Sequence, residues 1–271
     1  MNNIRKGETT KEFVIDLPFT YKKAVLAQAR TSPNRPYAFI VEFHDGSRKF
    51  MKGPWKNIKQ ARDHVIYNEI KRRLESNYLH PIQCEMEKYD PQIIFLVCQE
   101  LGKADLDNVE EKETKEDGIV EVLTYASNDV VPDPLNFLTE ISKENQHIWI
   151  GMMVNYCFRW VFGLGDAARR NLMLQRSTGK IYSTDEIFLK STSHEYIWGG
   201  KRPAKEKFEL IRAFAQSGLL NEVLIEVKKW KSSLDIIRDE VAPISEDVER
   251  RIDHFLKNPE IVLDICRNEH N

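Results

Sequence analysis

Apolar residues repeat with two different periods along this chain, and the switch falls near its middle. In residues 37–43, Phe39, Val41 and Phe43 alternate with Ala38, Ile40 and Glu42, and Asp45-Gly46 offers a turn before residues 48–52. Alternation on either side of a glycine-containing turn predicts a β-hairpin. Ile58, Ala61, Val65, Tyr67, Ile70 and Leu74 then fall near helical spacing with charges between them, which predicts a helix over 58–74. Residues 93–98 and 118–123 read as buried strands. Between them, residues 100–117 carry eight acidic and three basic side chains, which predicts a solvated loop.

Beyond Pro134 the period lengthens. Trp149, Met152, Met153, Tyr156 and Trp160 recur at three- and four-residue steps and make one helix face strongly apolar, the face of a core helix. Residues 208–215, 219–230 and 248–265 are further amphipathic candidates, with Pro243 separating the last two. A strand-rich first part with one helix and a helical second part predict an α+β chain of two lobes, 1–125 and 126–271. There is no internal repeat and no low-complexity tract.

Composition narrows the function classes. The 271 residues carry 40 Lys+Arg against 42 Asp+Glu, a formal net charge of −2, so no global basic surface exists to collect nucleic-acid phosphates. The longest apolar run, residues 93–98, is far too short to span a bilayer, and residues 1–13 are charged without an apolar core. These features predict an intracellular, cytoplasmic protein without a transmembrane segment. Cys84, Cys98, Cys157 and Cys266 are widely spaced, with no CxxC pair or clustered His to hold zinc, and read as reduced thiols.

The chemistry concentrates after the apolar helix, in Gly163-Leu164-Gly165-Asp166-Ala167-Ala168-Arg169-Arg170-Asn171-Leu172-Met173-Leu174, then Ser177-Thr178-Gly179 and Ile181-Tyr182-Ser183-Thr184-Asp185. The glycines end the helix, so Asp166 leaves a rigid element on a loop. If residues 172–174 and 181–184 pair as a hairpin centred near Thr178, Asn171 and Asp185 emerge at its open end. A carboxylate and an amide carbonyl there suit Mg²⁺ when nucleotide phosphates supply further oxygens, and a second Asp could orient a hydroxyl nucleophile. Each of the three could equally serve as a helix cap or turn residue.

This stretch resembles the phosphatidylinositol 3-/4-kinase superfamily, and within it the target-of-rapamycin-like protein-kinase branch. Those families carry a G-[LI]-G-D-R-H-x-x-N loop, a hairpin and D-F-G. Asn171-Leu172-Met173-Leu174, Arg176 and Thr178-Gly179-Lys180-Ile181 look like that branch's loop and hairpin, and Asn155-Tyr156-Cys157 like its preceding helix. Earlier, residues 32–36 resemble the phosphate-contacting loop, Lys52-Gly53 the strand lysine, Ile58-Lys59-Gln60 the helix behind it, and residues 118–123 the hinge strand.

The resemblance implies a bilobal protein-kinase-like fold, with a small antiparallel β-rich N-lobe, a larger helical C-lobe and ATP in the cleft. It implies that Ser32 and Lys52 contact ATP phosphates, that Glu121 and Leu123 offer backbone hydrogen bonds to adenine, that Asp166 orients the acceptor hydroxyl, and that Asn171 and Asp185 hold Mg²⁺. The substrate would be a protein Ser/Thr, slightly favoured, or a phosphoinositide.

Ala167-Ala168 replaces the family's Arg-His, and Glu186-Ile187 its Phe-Gly. These departures keep open a pseudokinase or nucleotide-binding scaffold acting on a regulatory protein partner. Arg169 and Arg170 could replace the lost histidine's charge or pack against acidic surface. Asp63 and Glu69 are the acids that the helix after Lys52 offers it. Residues 190–212 mix Lys190, Lys201, Arg202, Lys205 and Lys207 with Glu195, Glu206 and Glu209, so they could read an anionic substrate or simply face solvent.

Overall fold

The computed structural model describes residues 4–6, 13–15, 17–28, 36–55, 58–90, 93–101, 109–114, 118–123, 137–164, 171–175, 178–184, 212–241 and 245–257. Strands dominate the N-terminal part and helices the C-terminal part, so the chain is α+β. It divides into two compact units, Met1–Val65 with Ile82–Asn128, and Ile66–Pro81 with Asp129–Asn271.

The first unit is built on a seven-stranded sheet. Its strands are β3 (Lys23–Gln28), β4 (Tyr37–Glu42), β5 (Arg48–Gly53), β6 (Cys84–Asp90), β7 (Ile93–Gln99), β8 (Val109–Thr114) and β9 (Gly118–Leu123), in the order β6-β7-β5-β4-β3-β9-β8. A separate pair, β1 (Ile4–Lys6) and β2 (Phe13–Ile15), is antiparallel. The expected hairpin is β4–β5, in register from Tyr37↔Gly53 to Glu42↔Arg48. All sheet pairings are antiparallel except β3–β9, which meet in parallel at Leu26↔Val122.

Side chains alternate across the sheet and sort into two clusters. Phe39, Val41, Met51, Phe95 and Val97 pack on one face, and Val25, Ala27, Ala38 and Ile40 on the other, with Phe50 against them. Gly53, at the end of β5, lies so close to Phe95 that a Cβ there would sit 2.3 Å from the ring's Cδ1. The glycine is therefore a packing requirement between β5 and β7.

The acidic stretch 100–117 is not all loop, because β8 runs through it and pairs with β9 from Val109↔Leu123 to Thr114↔Gly118. β8 is an edge strand, where charged residues need no burial and discourage pairing with other chains. β6, the other edge, is also rich in charge and equally lacks an apolar sequence signal.

The helix expected over 58–74 is α1 (Ile58–Arg73). In the second unit Ile66, Tyr67, Ile70 and Leu74 join the core formed by α3 (Gln146–Val161), α4 (Leu219–Val241) and α5 (Glu246–Lys257). A short α2 (Phe137–Glu140) precedes α3, and residues 212–217 are helical. α4 runs well past Trp230, whose indole is fully buried among Phe158, Val227, Leu234 and Phe255. Among the described residues, no helix is long and apolar enough to cross a membrane.

Gly53→Ala should lower stability by about 1–3 kcal/mol through overpacking, read as a lower urea midpoint by circular dichroism. Adding Phe95→Leu should recover part of the loss. An unchanged midpoint for the single variant would mean that the β5–β7 contact is not tight.

Candidate functional site

α3 is buried on nearly every side, from Trp149 through Val161. It stops where the sequence requires. Gly163 adopts φ +62°, its N–H donates to Trp160 O (3.0 Å), and Leu164 N–H reaches back to Arg159 O (2.7 Å). This pair of bonds around a left-handed glycine is a Schellman cap, and it satisfies carbonyls that a helix end would otherwise leave open. A Cβ on Gly163 would also meet the Arg251 guanidinium at 2.7 Å. The chain that leads on to Asp166 therefore leaves α3 from a closed helix end.

Further along the chain, β10 (Leu172–Gln175) and β11 (Lys180–Ser183) form the expected antiparallel hairpin. Their register, Leu172↔Ser183 through Gln175↔Lys180, puts the centre of the turn between residues 177 and 178. Asn171 is accordingly opposite Thr184 rather than Asp185, and Thr184 N–H donates to Asn171 O at 2.8 Å. Leu172, Ile181 and Ser183 are buried toward the core, with Ile181 Cδ1 lying 3.4 Å from the place a Cβ on Gly151 of α3 would take. The turn is seated too: a Cβ on Gly179 would stand 2.5 Å from His147 Nε2.

Two buried cations hold the open end of this hairpin. The Arg159 side chain is fully buried; its Nε donates to Ser183 Oγ (2.8 Å) and its Nη2 to Thr184 O. Lys71, 1% exposed, donates from Nζ to Ser183 O at 3.1 Å and lies over the Phe158 ring, 5.4 Å from its centroid. Cations withdrawn from water this completely require such acceptors. Asn155, also buried, donates from Nδ2 to Gly151 O (2.8 Å) and Tyr78 O (3.2 Å), tying α3 to the chain after α1.

Of the residues singled out from sequence, Asn171 is buried at the mouth of the hairpin. Lys52 belongs to the first unit, paired with Ala38 across β4–β5 and 5.6 Å from the centroid of the Trp55 ring, within cation–π range. Glu121 and Leu123 lie on β9, opposite Glu111 and Val109. Ser32, Asp166, Asp185, Arg169, Arg170 and the segment 190–211 lie outside the described residues. Of the two acids on α1, Glu69 is exposed and bonded to Arg72 (2.8 Å), which holds its carboxyl below the usual range, whereas Asp63 is buried. Among the described residues no group of three or more His, Cys, Asp or Glu is placed to hold a metal.

Arg159 escaped the reading by residue pattern, although it left a signal. It is the only charged residue between His147 and Asp166, set in an otherwise apolar helix. Lys71 had none, since it belongs to an ordinary basic helix end, Lys71-Arg72-Arg73.

No family model and no curated protein matches the chain. Solved structures that it resembles include the proinflammatory kinase CtkA of Helicobacter pylori, at 13% identity over 90% of this chain and 95% of that one, TM-score 0.33. Another is CtTel1 in its open conformation, at 13% identity over 86% of this chain and 11% of that one, TM-score 0.38. Likeness at these TM-scores carries no argument about the fold or the site.

On the outer face of the hairpin, Tyr182 and His80 lie 5.6 Å apart, ring to ring. Burial, then the positive charges of Lys180 and Lys71, lowers the His80 pKa to about 4. Folded His80 stays neutral where the unfolded chain, near pH 6.5, takes up a proton. Its contribution to stability is complete above that pH and is lost progressively as pH falls from about 6.5 toward about 4. Thermal melts should therefore show a midpoint that drops between pH 7 and pH 5, and His80→Gln should flatten the profile in that window. Equal slopes in parent and variant would remove His80 as the cause.

Proposed function

We propose that the chain is an ATP- and Mg²⁺-dependent phosphotransferase of the phosphatidylinositol 3-/4-kinase-like type, with a protein Ser/Thr acceptor favoured over an inositol lipid. The observation that carries this reading is the hairpin: Asn171 is bonded through its carbonyl to Thr184, and Asp185 is the next residue along the chain. A peptide step of 3.8 Å between Cα atoms keeps Asp185 near Asn171 whatever its side chain does. A carboxylate and a carboxamide at that spacing have the donor chemistry for Mg²⁺, which would neutralise phosphate charge when bound.

The sheet supports the nucleotide half of the reading. Lys52 shares a face with Val25, Ala27, Ala38 and Ile40, a buried apolar patch of mostly small side chains beside which an adenine would lie. In the strand order β5-β4-β3-β9, Lys52 and the residues Glu121 and Leu123 are three strand spacings apart, about 14 Å. That span suits adenine at β9 and phosphates at Lys52. Asp166 would then accept the hydrogen bond of the attacking hydroxyl and hold it in line.

A second reading, a pseudokinase or nucleotide-binding scaffold for a regulatory partner, is favoured by one specific feature. Ala167-Ala168 and Glu186-Ile187 stand where the resembling family has Arg-His and Phe-Gly.

Thermal shift separates these readings in steps. ATP with Mg²⁺ should raise the melting midpoint, and Asp185→Ala should abolish the part of the shift that depends on metal. No shift at millimolar ATP would reject both the enzyme and the nucleotide-binding scaffold.

Where ATP binds, transfer of labelled γ-phosphate to mixed protein and phosphoinositide acceptors should fall at least 100-fold in Asp166→Asn, the scale of a lost general base. Its affinity for ATP and Mg²⁺ should stay within about twofold of the parent. Binding without Asp166-dependent transfer would favour the scaffold. Lys52→Met should weaken ATP binding about tenfold, the effect of removing one charge-assisted contact to phosphate.

A further inference from the structure

Arg159 touches both segments that carry the proposed chemistry. Its carbonyl accepts the N–H of Leu164 at 2.7 Å, two residues before Asp166. Its guanidinium donates to Ser183 Oγ at 2.8 Å and to Thr184 O, one residue before Asp185. Lys71 adds a bond to Ser183 O at 3.1 Å from a different helix. Thr184 in turn donates its N–H to Asn171 O at 2.8 Å.

The chain between Ser183 and Thr184 is thus held at its side chain, at both carbonyls and at an N–H, by three separate elements. All the groups belong to the second unit. Lys71 and Arg159 are 1% and 0% exposed, so these bonds are made out of water, where an ionised donor holds its acceptor most firmly.

A cationic side chain in an apolar helix carries a heavy desolvation penalty, and shape alone does not explain it. A buried apolar residue would fill the same space between α3 and β11 without that cost. What a guanidinium provides is direction: its N–H groups point in a fixed plane, so two acceptors on neighbouring residues are held in one geometry. Metal ligands need such outer support, because a carboxylate free to swing loses affinity for the ion.

Resting on the phosphotransferase reading above, we propose that Arg159 and Lys71 are positioning residues. They clamp Ser183-Thr184 so that Asn171 and Asp185 are presented together to a Mg²⁺-nucleotide. Neither touches substrate or metal; they act through the backbone that carries the ligands. Arg159 is the principal clamp, since it bonds both clamped residues and its carbonyl also holds Leu164, two residues before Asp166. Lys71, with one bond to that backbone among the described residues, has a smaller share.

The test measures ATP binding by the full chain in titrations with Mg²⁺, alongside ATP binding in EDTA and the melting midpoint of each protein. Arg159→Met should raise the Mg²⁺ concentration for half-maximal ATP stabilisation about tenfold or more, with ATP affinity in EDTA within about twofold of the parent. Arg159→Lys, which keeps one donor for Thr184 O, should recover part of that shift, and Lys71→Met should give a smaller shift in the same direction.

Because Arg159→Met could fail to fold, Ser183→Ala serves as the mild variant. It removes the acceptor of Arg159 Nε and no other heavy atom, and should raise the Mg²⁺ requirement about threefold or more. A folded Ser183→Ala with an unchanged Mg²⁺ requirement overturns the clamp, as does a parallel loss of metal-free and metal-dependent binding that merely follows the melting midpoint. A parent chain that binds no ATP with Mg²⁺ overturns the phosphotransferase reading itself, and the clamp with it. The two failures differ in the parent's own titration.

Discussion

A guanidinium taken out of water has to meet acceptors in its own plane, and Arg159 meets them at Ser183 and Thr184. Much of the second unit is arranged around that requirement. α3 must be buried far enough to bring Arg159 to the inner face of the β10–β11 hairpin, where Ile181 packs beside Gly151. Phe158 lies beneath Lys71, which meets the same strand end. Removing either partner would leave a charge in an apolar core, which costs far more than the loss of one exposed ion pair.

The same logic separates the ion pairs that matter from those that decorate the surface. Arg72–Glu69 and Lys22–Glu42 are exposed and worth little. Arg48–Glu100, with both side chains mostly buried, links β5 to the end of β7 in the sheet unit. There the organising constraint is packing rather than charge. Phe95 fills the space that Gly53 leaves and holds the end of β5, the strand whose opposite face displays Lys52. An apolar sheet face that also carries Lys52 then follows from strand alternation alone.

Legibility differed by element for identifiable reasons. α1 and α3 were readable because apolar residues recur at helical spacing, β4 and β5 because alternation and the Asp45-Gly46 turn mark a hairpin, and β7 because it is a continuous apolar run. β6 and β8 were not, because both are edge strands whose charged residues satisfy a loop pattern equally well. The hairpin at the candidate site was readable from Thr178-Gly179, but its register was offset by one position, since turn length depends on backbone geometry that residue types only bias. Asn171 was singled out by its spacing from Asp166. Arg159 and Lys71 were not, because their partners lie 24 and 112 residues away in sequence.

Local pattern was sufficient for the α+β division, the order of strands and helices around the hairpins, the glycines that end α3, and the types of residue available for phosphate and metal chemistry. These rest on interactions within a few residues, which spacing and residue type encode directly. Tertiary structure decided the rest: that two charged strands close the edges of the sheet, that Asn171 is tied to Thr184, and that two cations are buried against the same turn of chain. Each of those joins residues distant in sequence through burial and hydrogen-bond satisfaction, which exist only once the chain has closed around them.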